Sequence, residues 1–568
     1  MYNKFLNFEY LNTGVVIVFF LDYYNRMNKN ALIHVENTEN LLELAEYLSS
    51  SGWTLFSANE TEEILKKQKI PVVHEENLVK SPNRINIDNS LMNRILSSRL
   101  YEEEEKYNFI KDDNQNTIQL VCINVTPELK NFEDIKGPPG STKPLDFFIS
   151  TIMRNSYENY ENLLILTDPA DYKEAIIQLK TDNISPDFRR YLAAKALNLS
   201  SAYDGAISDT LLLNTRLNKE FMNYLMYPFR KDINLKGGKN PHQKACFYKF
   251  PTETGVFSNH TKVQGQDLNY NNISDISYSW EIISMLYTTL KNQFSVKSKN
   301  SDGYDFTTQF TPLTGTVFTI AVKLKSILGA TISTSVLDSF KKTYTYDKKN
   351  IKDATFACSA VIDECAAKQI VECDFSAVVA PDFTVEAKQI LSEDKKIRLI
   401  PTAKVSITPF DIELINSGLL IQTRDTKLFN HWYIKTKNRP SQHKTDEMAF
   451  GMLLTSISRS YSATLIKDNS IVGISQAATS PVKAIEDVFY EAKKHSLRNN
   501  QNGTDSKLAD ILVCDTSIPF CEIIKDIIDS GVSAIIQTGG TETDEEFIKY
   551  CNEHDVVMVF TGITHISY

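Results

Sequence analysis

The stretch GVSAIIQTGGTETDEEFIKYCNEHDVVMVFTG, residues 531–562, alternates strand signals with a helix signal. Val532–Gln537 and Val556–Thr561 are short apolar runs that predict buried strands, whereas Thr543–Glu553 has the spacing of a helix. The segment just before it repeats the pattern with strand Ala509–Cys514 and helix Glu522–Ser530. Strands that alternate with helices form parallel sheets covered by helices, so the sequence predicts an α/β fold.

The same alternation fills the N-terminal third of the chain. Apolar runs there predict strands, and amphipathic spacing between them predicts helices. The expected strands are Ala31–Val35, Thr54–Ser57, Ile70–Val73, Ile118–Val125 and Leu163–Thr167, and the expected helices are Glu39–Ser49, Thr61–Gln68 and Phe188–Leu213.

With 568 residues, the chain exceeds what one hydrophobic core usually supports. Proline and glycine cluster at Met226–Lys244, which predicts a domain boundary, and two similar blocks follow with a break near Ile400–Ser417. We therefore expect four segments, namely residues 1–27, 28–225, 226–405 and 406–568.

The first segment contains an apolar run, Thr13–Leu21, that is too short to span a bilayer and lacks the basic flank of a signal peptide. A strand and helix pattern begins four residues after Met27. Two interpretations remain open. Residues 1–26 are either an extension upstream of a natural start at Met27 or a peripheral element packed on the surface.

Composition narrows the class of protein. A net charge of −10 and a pI near 5.6 argue against a general nucleic-acid binder, which needs a basic face for phosphates. The eight cysteines form no C-x-x-C pair and have no histidine-rich partner at zinc spacing. We therefore expect reduced thiols, no metal site, no membrane span and a cytoplasmic location.

Three polar loops could bind an anion or a small polar ligand. Gln537–Thr541 joins a strand to a helix, where glycine N–H groups can face an anion. A simple tight turn is the favoured interpretation of so short a motif, and Thr541 and Asp544 could equally be helix-capping residues. Asn240–Gln243 presents an imidazole and two amides in a proline-containing loop. Gln264–Asp275 concentrates amides and carboxylates at a helix start. No dinucleotide, P-loop, nucleophile-elbow or zinc motif accompanies them.

Six segments together resemble the bifunctional AICAR transformylase/IMP cyclohydrolase family, in consistent order over residues 28–568. They are LLILTDPADYKEAI (163–176), YLAAKALNLSSAYDGAIS (191–208), GKNPHQKACFY (238–248), VQGQDLNYNNISD (263–275), SGLLIQTRD (417–425) and the C-terminal stretch (531–562). The resemblance implies formyl transfer from 10-formyltetrahydrofolate to AICAR, followed by ring closure to IMP. It also implies a homodimer with shared sites.

The resemblance assigns a fold to each segment. Residues 28–225 correspond to a methylglyoxal-synthase-like IMP cyclohydrolase domain. Residues 226–405 and 406–568 correspond to two cytidine-deaminase-like subdomains of the transformylase, without zinc.

Several transformylase positions depart from the family pattern. The family's Lys-His pair aligns with Lys323-Leu324, so the catalytic lysine is kept and the proton-handling imidazole is lost. Two family arginines fall at Pro481 and Thr564, and its Ser-Asn pair falls at Ser460-Tyr461. The residues kept for substrate binding are Lys236, Asn240, His242, Asn271, Asp275, Asp515, Pro519, Gly539 and Gly540.

The cyclohydrolase positions depart further. The family's Ser-Thr-Gly-Gly-Thr phosphate cradle aligns with Ser57–Thr61, where Glu60 places a carboxylate in a phosphate site. Thr126 replaces the catalytic tyrosine, and Glu158 replaces a lysine. A Lys-Thr-Leu-His-Pro-Lys segment has no counterpart in Asn83–Leu96. The contacts that remain for this pocket are Ser57, Thr61, Asp146 and Arg154.

Two hypotheses from different classes follow. In the first, the chain is a divergent transformylase that works through Lys323 and has lost cyclohydrolase activity. In the second, it is an inactive paralogue that binds a purine nucleotide or holds a dimer together. The retained lysine and glycines favour the first, and the simultaneous losses at independent contacts favour the second.

Overall fold

The structure is a computed structural model that describes residues 29–75, 95, 117–124, 147–213, 221–227, 229–249, 255–257, 264–290, 294–312, 315–402, 410–499 and 507–567. The chain forms two compact units, Met1–Arg230 with Phe250–Thr252, and Lys231–Lys249 with Glu253–Tyr568. The expected N-terminal extension, the start at Met27 and the site residues Asp146 and Thr126 all lie outside the described residues.

The first unit contains a five-stranded sheet in the order β3-β2-β1-β4-β5, and every pairing in it is parallel. This confirms the predicted parallel sheet. Its strands are β1 (Asn30–Val35), β2 (Thr54–Ser57), β3 (Val73–His74), β4 (Leu120–Asn124) and β5 (Leu164–Leu166). Its helices are α1 (Leu41–Ser50), α2 (Asn59–Lys67), α3 (Phe147–Glu158), α4 (Tyr172–Lys180) and α5 (Pro186–Leu213).

The strand expected at Ile70–Val73 is wrong at its start, since β3 begins only at Val73. Pro71 has no N–H to donate to a ladder, so the chain enters the sheet after it. Ile70 is nevertheless buried in the core of this unit. The apolar run at Ile70–Val73 therefore indicates burial rather than strand pairing.

The second unit contains a thirteen-stranded sheet in the order β14-β13-β12-β10-β11-β19-β18-β20-β21-β22-β17-β8-β9, together with two separate two-stranded hairpins. The hairpins are β6 (Arg230–Leu235) with β7 (Ala245–Lys249), and β15 (Phe410–Ile415) with β16 (Gly418–Thr423). The sheet strands are β8 (Phe294–Lys299), β9 (Asp305–Phe310), β10 (Val317–Lys323), β11 (Ser326–Ser333), β12 (Thr355–Cys358), β13 (Ala377–Ala380), β14 (Arg398–Pro401), β17 (Trp432–Ile434), β18 (Ala463–Lys467), β19 (Ser470–Ser475), β20 (Ile511–Cys514), β21 (Ala534–Gln537) and β22 (Val557–Phe560).

Helices cover this sheet and form its cores with it. They are α6 (Tyr270–Leu290), α7 (Val336–Tyr346), α8 (Glu364–Ile370), α9 (Val385–Leu391), α10 (Gln442–Ile457), α11 (Pro481–Asn499), α12 (Glu522–Asp529) and α13 (Asp544–Glu553). Among the described residues, each helix is too short or too polar to cross a bilayer. All eight cysteines are free thiols, and five of them are buried.

The thirteen-stranded sheet contains the same topology twice. From α6 to β14 and again from α10 to β22, a helix precedes an antiparallel hairpin, whose first strand then pairs with the first of three parallel strands. Both hairpins shift register two residues before their turn, between Ala321 and Val322 and between Leu465 and Ile466. We call residues 270–401 the first repeat and residues 442–560 the second repeat.

A glycine lies at the same place in the second hairpin strand of each repeat. A Cβ on Gly329 would lie 2.6 Å from the Thr343 carbonyl oxygen of α7, and one on Gly473 would lie 2.9 Å from the Val488 carbonyl oxygen of α11. Both helices therefore pack on their strands closely enough to contact backbone with backbone. Because a backbone atom cannot move aside as a flexible side chain can, both positions require glycine.

We expect Gly329→Ala and Gly473→Ala each to lower the free energy of unfolding by about 1–3 kcal/mol, the range typical of overpacking. Gly418→Ala is the matched control, since nothing lies within 4 Å of its added methyl group. Urea denaturation of the three variants checks this. Equal midpoints for all three would contradict the close helix packing.

Candidate functional site

The loop that precedes α6 is anchored on β14. Gly265 has φ +100°, and a Cβ there would lie 2.2 Å from the Ile397 carbonyl oxygen. The Arg398 guanidinium donates from Nε and Nη2 to the Asp267 carbonyl oxygen at 3.1 and 2.8 Å. These contacts place the start of α6 against the sheet, so the family-marker segment 263–275 has a structural role.

The first turn of α6 is capped by two asparagines. The Asn269 side chain accepts from the Asn272 N–H at 2.9 Å, and the Asn272 side chain accepts from the Asn269 N–H at 3.3 Å. Such reciprocal capping satisfies two helix-end donors. The side chain of Asn271 instead donates to the Lys239 carbonyl oxygen at 3.4 Å, which brings the loop 238–243 to this end of the helix.

That loop is closed by Gln243. Its Oε1 accepts from the backbone N–H and the side-chain amide of Asn240, at 2.9 and 3.2 Å, and its carbonyl accepts from the Gly238 N–H at 2.8 Å. Asn240 is therefore occupied within its own turn. His242 and Lys236 are exposed, and the His242 ring has no hydrogen-bond partner among the described residues.

Asp275 binds the turn between β10 and β11. Its two carboxylate oxygens accept separately, Oδ2 from the Leu324 N–H at 2.9 Å and Oδ1 from the Lys325 N–H at 2.8 Å. The turn residues have φ of +52° and +57°, as in the two-residue hairpin turns that match strand twist. Burial raises the pKa of the Asp275 carboxyl, and the two N–H donors oppose that rise.

The pair aligned with the family's Lys-His diverges at this turn. Lys323 Nζ donates to the Lys352 carbonyl oxygen at 2.6 Å. Leu324 is 66% exposed, although it is apolar. The position that the resemblance assigns to a proton-handling imidazole is therefore open to solvent and carries a side chain without acid–base chemistry.

Gln476 was not predicted, and it joins the two repeats at this place. Its side chain accepts from the Ile327 N–H at 3.0 Å and donates to the Ile327 carbonyl oxygen at 3.1 Å. The next residue, Ala477, donates its N–H to the Arg459 carbonyl oxygen at 2.7 Å. The only sequence signal was a polar residue directly after a strand, which does not identify its partner.

Asp515 is 1% exposed and follows β20. One oxygen, Oδ2, accepts from Ser460 Oγ at 2.7 Å and from the Ser462 N–H at 2.9 Å. Burial raises the pKa of this carboxyl, and its hydrogen bonds to Ser460 and Ser462 oppose the rise. Through Ser460, which follows Arg459, Asp515 is connected to Gln476 and the β10–β11 turn.

Gly539 and Gly540, the two glycines of the loop 537–541, have different structural roles. Gly539 has φ +81°, and a Cβ there would lie 2.3 Å from the Phe560 ring. The Gly540 N–H donates to Asp544 Oδ2 at 2.7 Å, and Thr541 Oγ1 donates to the other oxygen at 2.5 Å. A carboxylate of the following helix thus occupies the N–H that could face an anion, as the tight-turn interpretation expects.

Pro481 and Thr564, the positions that the resemblance aligns with family arginines, lie in different surroundings. Pro481 is the first residue of α11, a position where its fixed φ and missing N–H are favourable. Thr564 is exposed, and the next residue, His565, is buried. His565 Nε2 donates to the Leu428 carbonyl oxygen at 3.1 Å, and Nδ1 lies 2.6 Å from Asp425 Oδ2. Sequence reasoning did not identify this contact between a buried histidine and a half-exposed aspartate.

In the first unit, the retained hydroxyl groups bind backbone. Ser57 Oγ donates to the Ile33 carbonyl oxygen at 2.8 Å, and Thr61 Oγ1 both accepts from the N–H and donates to the carbonyl of Val35, each at 3.1 Å. Both side chains are buried. Their hydrogen bonds tie β2 and α2 to β1 rather than facing a ligand.

Charged side chains of the same unit make separate contacts. Glu60 is exposed in the first turn of α2, where its carboxylate complements the helix dipole. Arg154 forms an ion pair with Asp204. Lys195 on α5 donates to both Asp168 and Asp171, each at 2.6 Å. The segments 163–176 and 191–208 therefore meet in a structural ion pair that sequence reasoning missed.

Asp275 accepts its hydrogen bonds with both carboxylate oxygens, whereas Asp515 accepts with one. Replacement of each by asparagine should therefore have different effects. Asp275→Asn can accept only one of the two turn N–H groups and opposes the other with its own amide. We expect a loss of about 1–3 kcal/mol, the cost of leaving a partly buried donor unsatisfied, and faster hydrogen exchange at Leu324 and Lys325. Glu447→Gln, which replaces a buried carboxylate bound to the single turn N–H of Asn469, is the control and should lose less. Unchanged exchange at the turn would contradict the assignment.

Asp515→Asn keeps both bonds, because a single oxygen accepts them. The folded-state pKa of Asp515 lies above its unfolded value, so wild-type stability falls as the pH rises through the folded value. Asparagine does not ionise. We therefore expect the stability of Asp515→Asn relative to wild type to rise with pH over that window, measured by urea unfolding from pH 4 to 7. A difference independent of pH would count against a buried charge at Asp515.

Comparisons with known proteins identify the family. The model of the AICARFT/IMPCHase bienzyme family matches residues 157–489, more than half of the chain. Proteins named bifunctional purine biosynthesis protein PurH are similar over 95% of this chain and their whole length, at 28% identity in Clostridium acetobutylicum and Clostridium botulinum and 26% in Brachyspira hyodysenteriae.

The crystal structure of ForH is 24% identical over 32% of this chain and 99% of its own, with a TM-score of 0.27, too low to compare the folds. The family match and the full-length similarity confirm the resemblance seen in the sequence. The chain belongs to the AICARFT/IMPCHase bienzyme family and is a divergent member of it.

Proposed function

We propose that this protein binds a purine nucleotide such as AICAR or IMP at its transformylase-like site, with impaired formyl transfer and no cyclohydrolase activity. The observation that carries the proposal is Leu324. It lies at the exposed tip of a turn that Asp275 binds, at the position that the resemblance aligns with the family's histidine.

Formyl transfer from 10-formyltetrahydrofolate to AICAR requires a proton to leave a weakly nucleophilic amine. Histidine suits that role near neutral pH, and leucine has no group that can take the proton. The two residues of this turn are Leu324 and Lys325, and the Asp275 carboxylate beside them accepts from both of their N–H groups. Lys323, the lysine that the resemblance makes catalytic, remains.

Loss of cyclohydrolase activity is supported by the first unit. The hydroxyl groups of Ser57 and Thr61 are used by β1, and Arg154 is used by Asp204. Glu60 adds negative charge at the start of α2, which repels a phosphate. Three groups that could bind a nucleotide are therefore used in other contacts, and Glu60 opposes a phosphate.

Nucleotide binding is supported by the preserved framework of the other site. We propose that the retained residues form the binding surface together with the turn, in a homodimer built from the four segments expected from the sequence. These residues are Lys236, Asn240, His242, Asn271, Asp275, Asp515, Gly539 and Gly540. The cytidine-deaminase-like and methylglyoxal-synthase-like assignments belong to the same proposal, supported by the duplicated topology and the parallel sheet. A cytoplasmic location stays a prediction.

The second candidate function is an inactive paralogue that holds a dimer together. The observation that favours it is the use of Asn240, Gly540 and Lys323 in local contacts. It differs from the first in one respect that can be measured, since a pure scaffold gains no stability from a nucleotide.

A Leu324→His variant tests the first proposal. We expect its rate of formyl transfer from 10-formyltetrahydrofolate to AICAR to exceed that of the wild type by about 100-fold, the lower range for a general base. Leu324→Gln is the control, because glutamine is polar and cannot take a proton near neutral pH. Ring closure to IMP should be absent in all three proteins.

Thermal shift with AICAR or IMP separates the remaining outcomes. At 100 times the Kd, a bound nucleotide stabilises the fold by about 2.7 kcal/mol. Stabilisation without turnover supports a binding protein, and no stabilisation by either nucleotide favours the scaffold. A measurable wild-type rate equal to that of Leu324→His would contradict impairment.

A further inference from the structure

The duplicated topology allows each side chain of the β10–β11 hairpin to be compared with its counterpart. Lys323 ends β10 and faces Ser326 across the turn, and Lys467 ends β18 and faces Ser470. Both turns contain two residues of positive φ. Lys323 and Lys467 therefore occupy the same position in the two repeats.

The two lysines also make the same contact. Lys323 Nζ donates to the Lys352 carbonyl oxygen at 2.6 Å, and Lys467 Nζ donates to the Lys507 carbonyl oxygen at 2.7 Å. Lys352 lies just before β12 and Lys507 just before β20, which are equivalent strands. The turns themselves differ, with Leu-Lys at residues 324–325 and Asp-Asn at residues 468–469.

A contact that recurs while the neighbouring turn residues change belongs to the fold rather than to one site. The buried carboxylates of the two repeats also make a recurring contact. Asp275 is the sixth residue of α6 and Glu447 is the sixth residue of α10, and each accepts from the second turn residue, Lys325 or Asn469, at 2.8 Å. Each repeat thus uses one helix carboxylate and one strand-end lysine to fix its hairpin.

The side chain of Lys325, in contrast, does not fix the hairpin. Its backbone N–H is bound by Asp275, and its φ is +57°, so the position of its Cα is fixed. The side chain is exposed, and the ammonium makes no hydrogen bond or ion pair with the described residues. The second repeat has Asn469 here, so the positive charge is particular to the first repeat.

We propose, building on the proposed function above, that Lys325 rather than Lys323 supplies the cation that contacts the phosphate of a nucleoside monophosphate. Arginines are absent at Pro481 and Thr564, and a phosphate dianion still needs cations. An ammonium on a flexible stem can provide one as a point charge without a fixed fork geometry. Lys323 acts as a positioning residue for the hairpin, as Lys467 does in the second repeat.

The test uses the full chain with IMP and AICAR and, as a ligand without phosphate, inosine. Lys325→Met should raise the Kd for both nucleotides at least tenfold without changing the Tm, and Lys325→Arg should keep the Kd within threefold. The affinity for inosine should be the same in wild type and Lys325→Met. Lys323→Met and Lys467→Met should each lower the Tm by about 2 °C, as expected for a lost hydrogen bond from a charged donor.

Two results would overturn the proposal in distinguishable ways. If wild type binds IMP and Lys325→Met binds equally well, while Lys323→Met raises the Kd more than Lys467→Met does, Lys325 is not the cation and the proposed function stands. If wild type binds neither nucleotide, the proposed function and the role of Lys325 fail together. In that case a Tm loss shared by Lys323→Met and Lys467→Met still supports their positioning role.

Discussion

A buried carboxylate that accepts from the backbone of a hairpin turn is the interaction on which the transformylase-like unit depends. Asp275 binds both N–H groups of the β10–β11 turn, and Glu447 binds one in the second repeat. Positive φ at both turn residues directs these N–H groups to one side, and an unpaired buried N–H would be costly. The carboxylates therefore fix where each hairpin meets its helix.

The two hairpins that these carboxylates fix also join the two repeats. The two hairpins meet where β11 pairs with β19, so both repeats share one continuous sheet. Gln476 then bonds with Ile327 across the junction, and Asp515 holds Ser460 and Ser462 beside it. Asp275 and Asp515, which the resemblance assigns to substrate binding, are used in this framework.

In the first unit, too, residues that the family resemblance covers make contacts that hold the fold. Lys195 joins Asp168 and Asp171, and Ser57 and Thr61 bind strand β1. Segments that resemble the family thus contain residues that hold the fold. Because these contacts do not involve a ligand, they do not depend on whether the pocket keeps its chemistry.

The sequence by itself determined the α/β class, the parallel sheet of the first unit and most element bounds, such as Thr54–Ser57, because burial and periodicity are local properties. It also identified the family, and the resemblance predicts the loss of an imidazole at Leu324. Only the tertiary structure decided which residues are committed to partners. Lys323 with Lys352, Asp275 with the turn, and Gln476 with Ile327 join positions 29 to 149 residues apart. No local pattern encodes such pairs, since they depend on how the repeats pack.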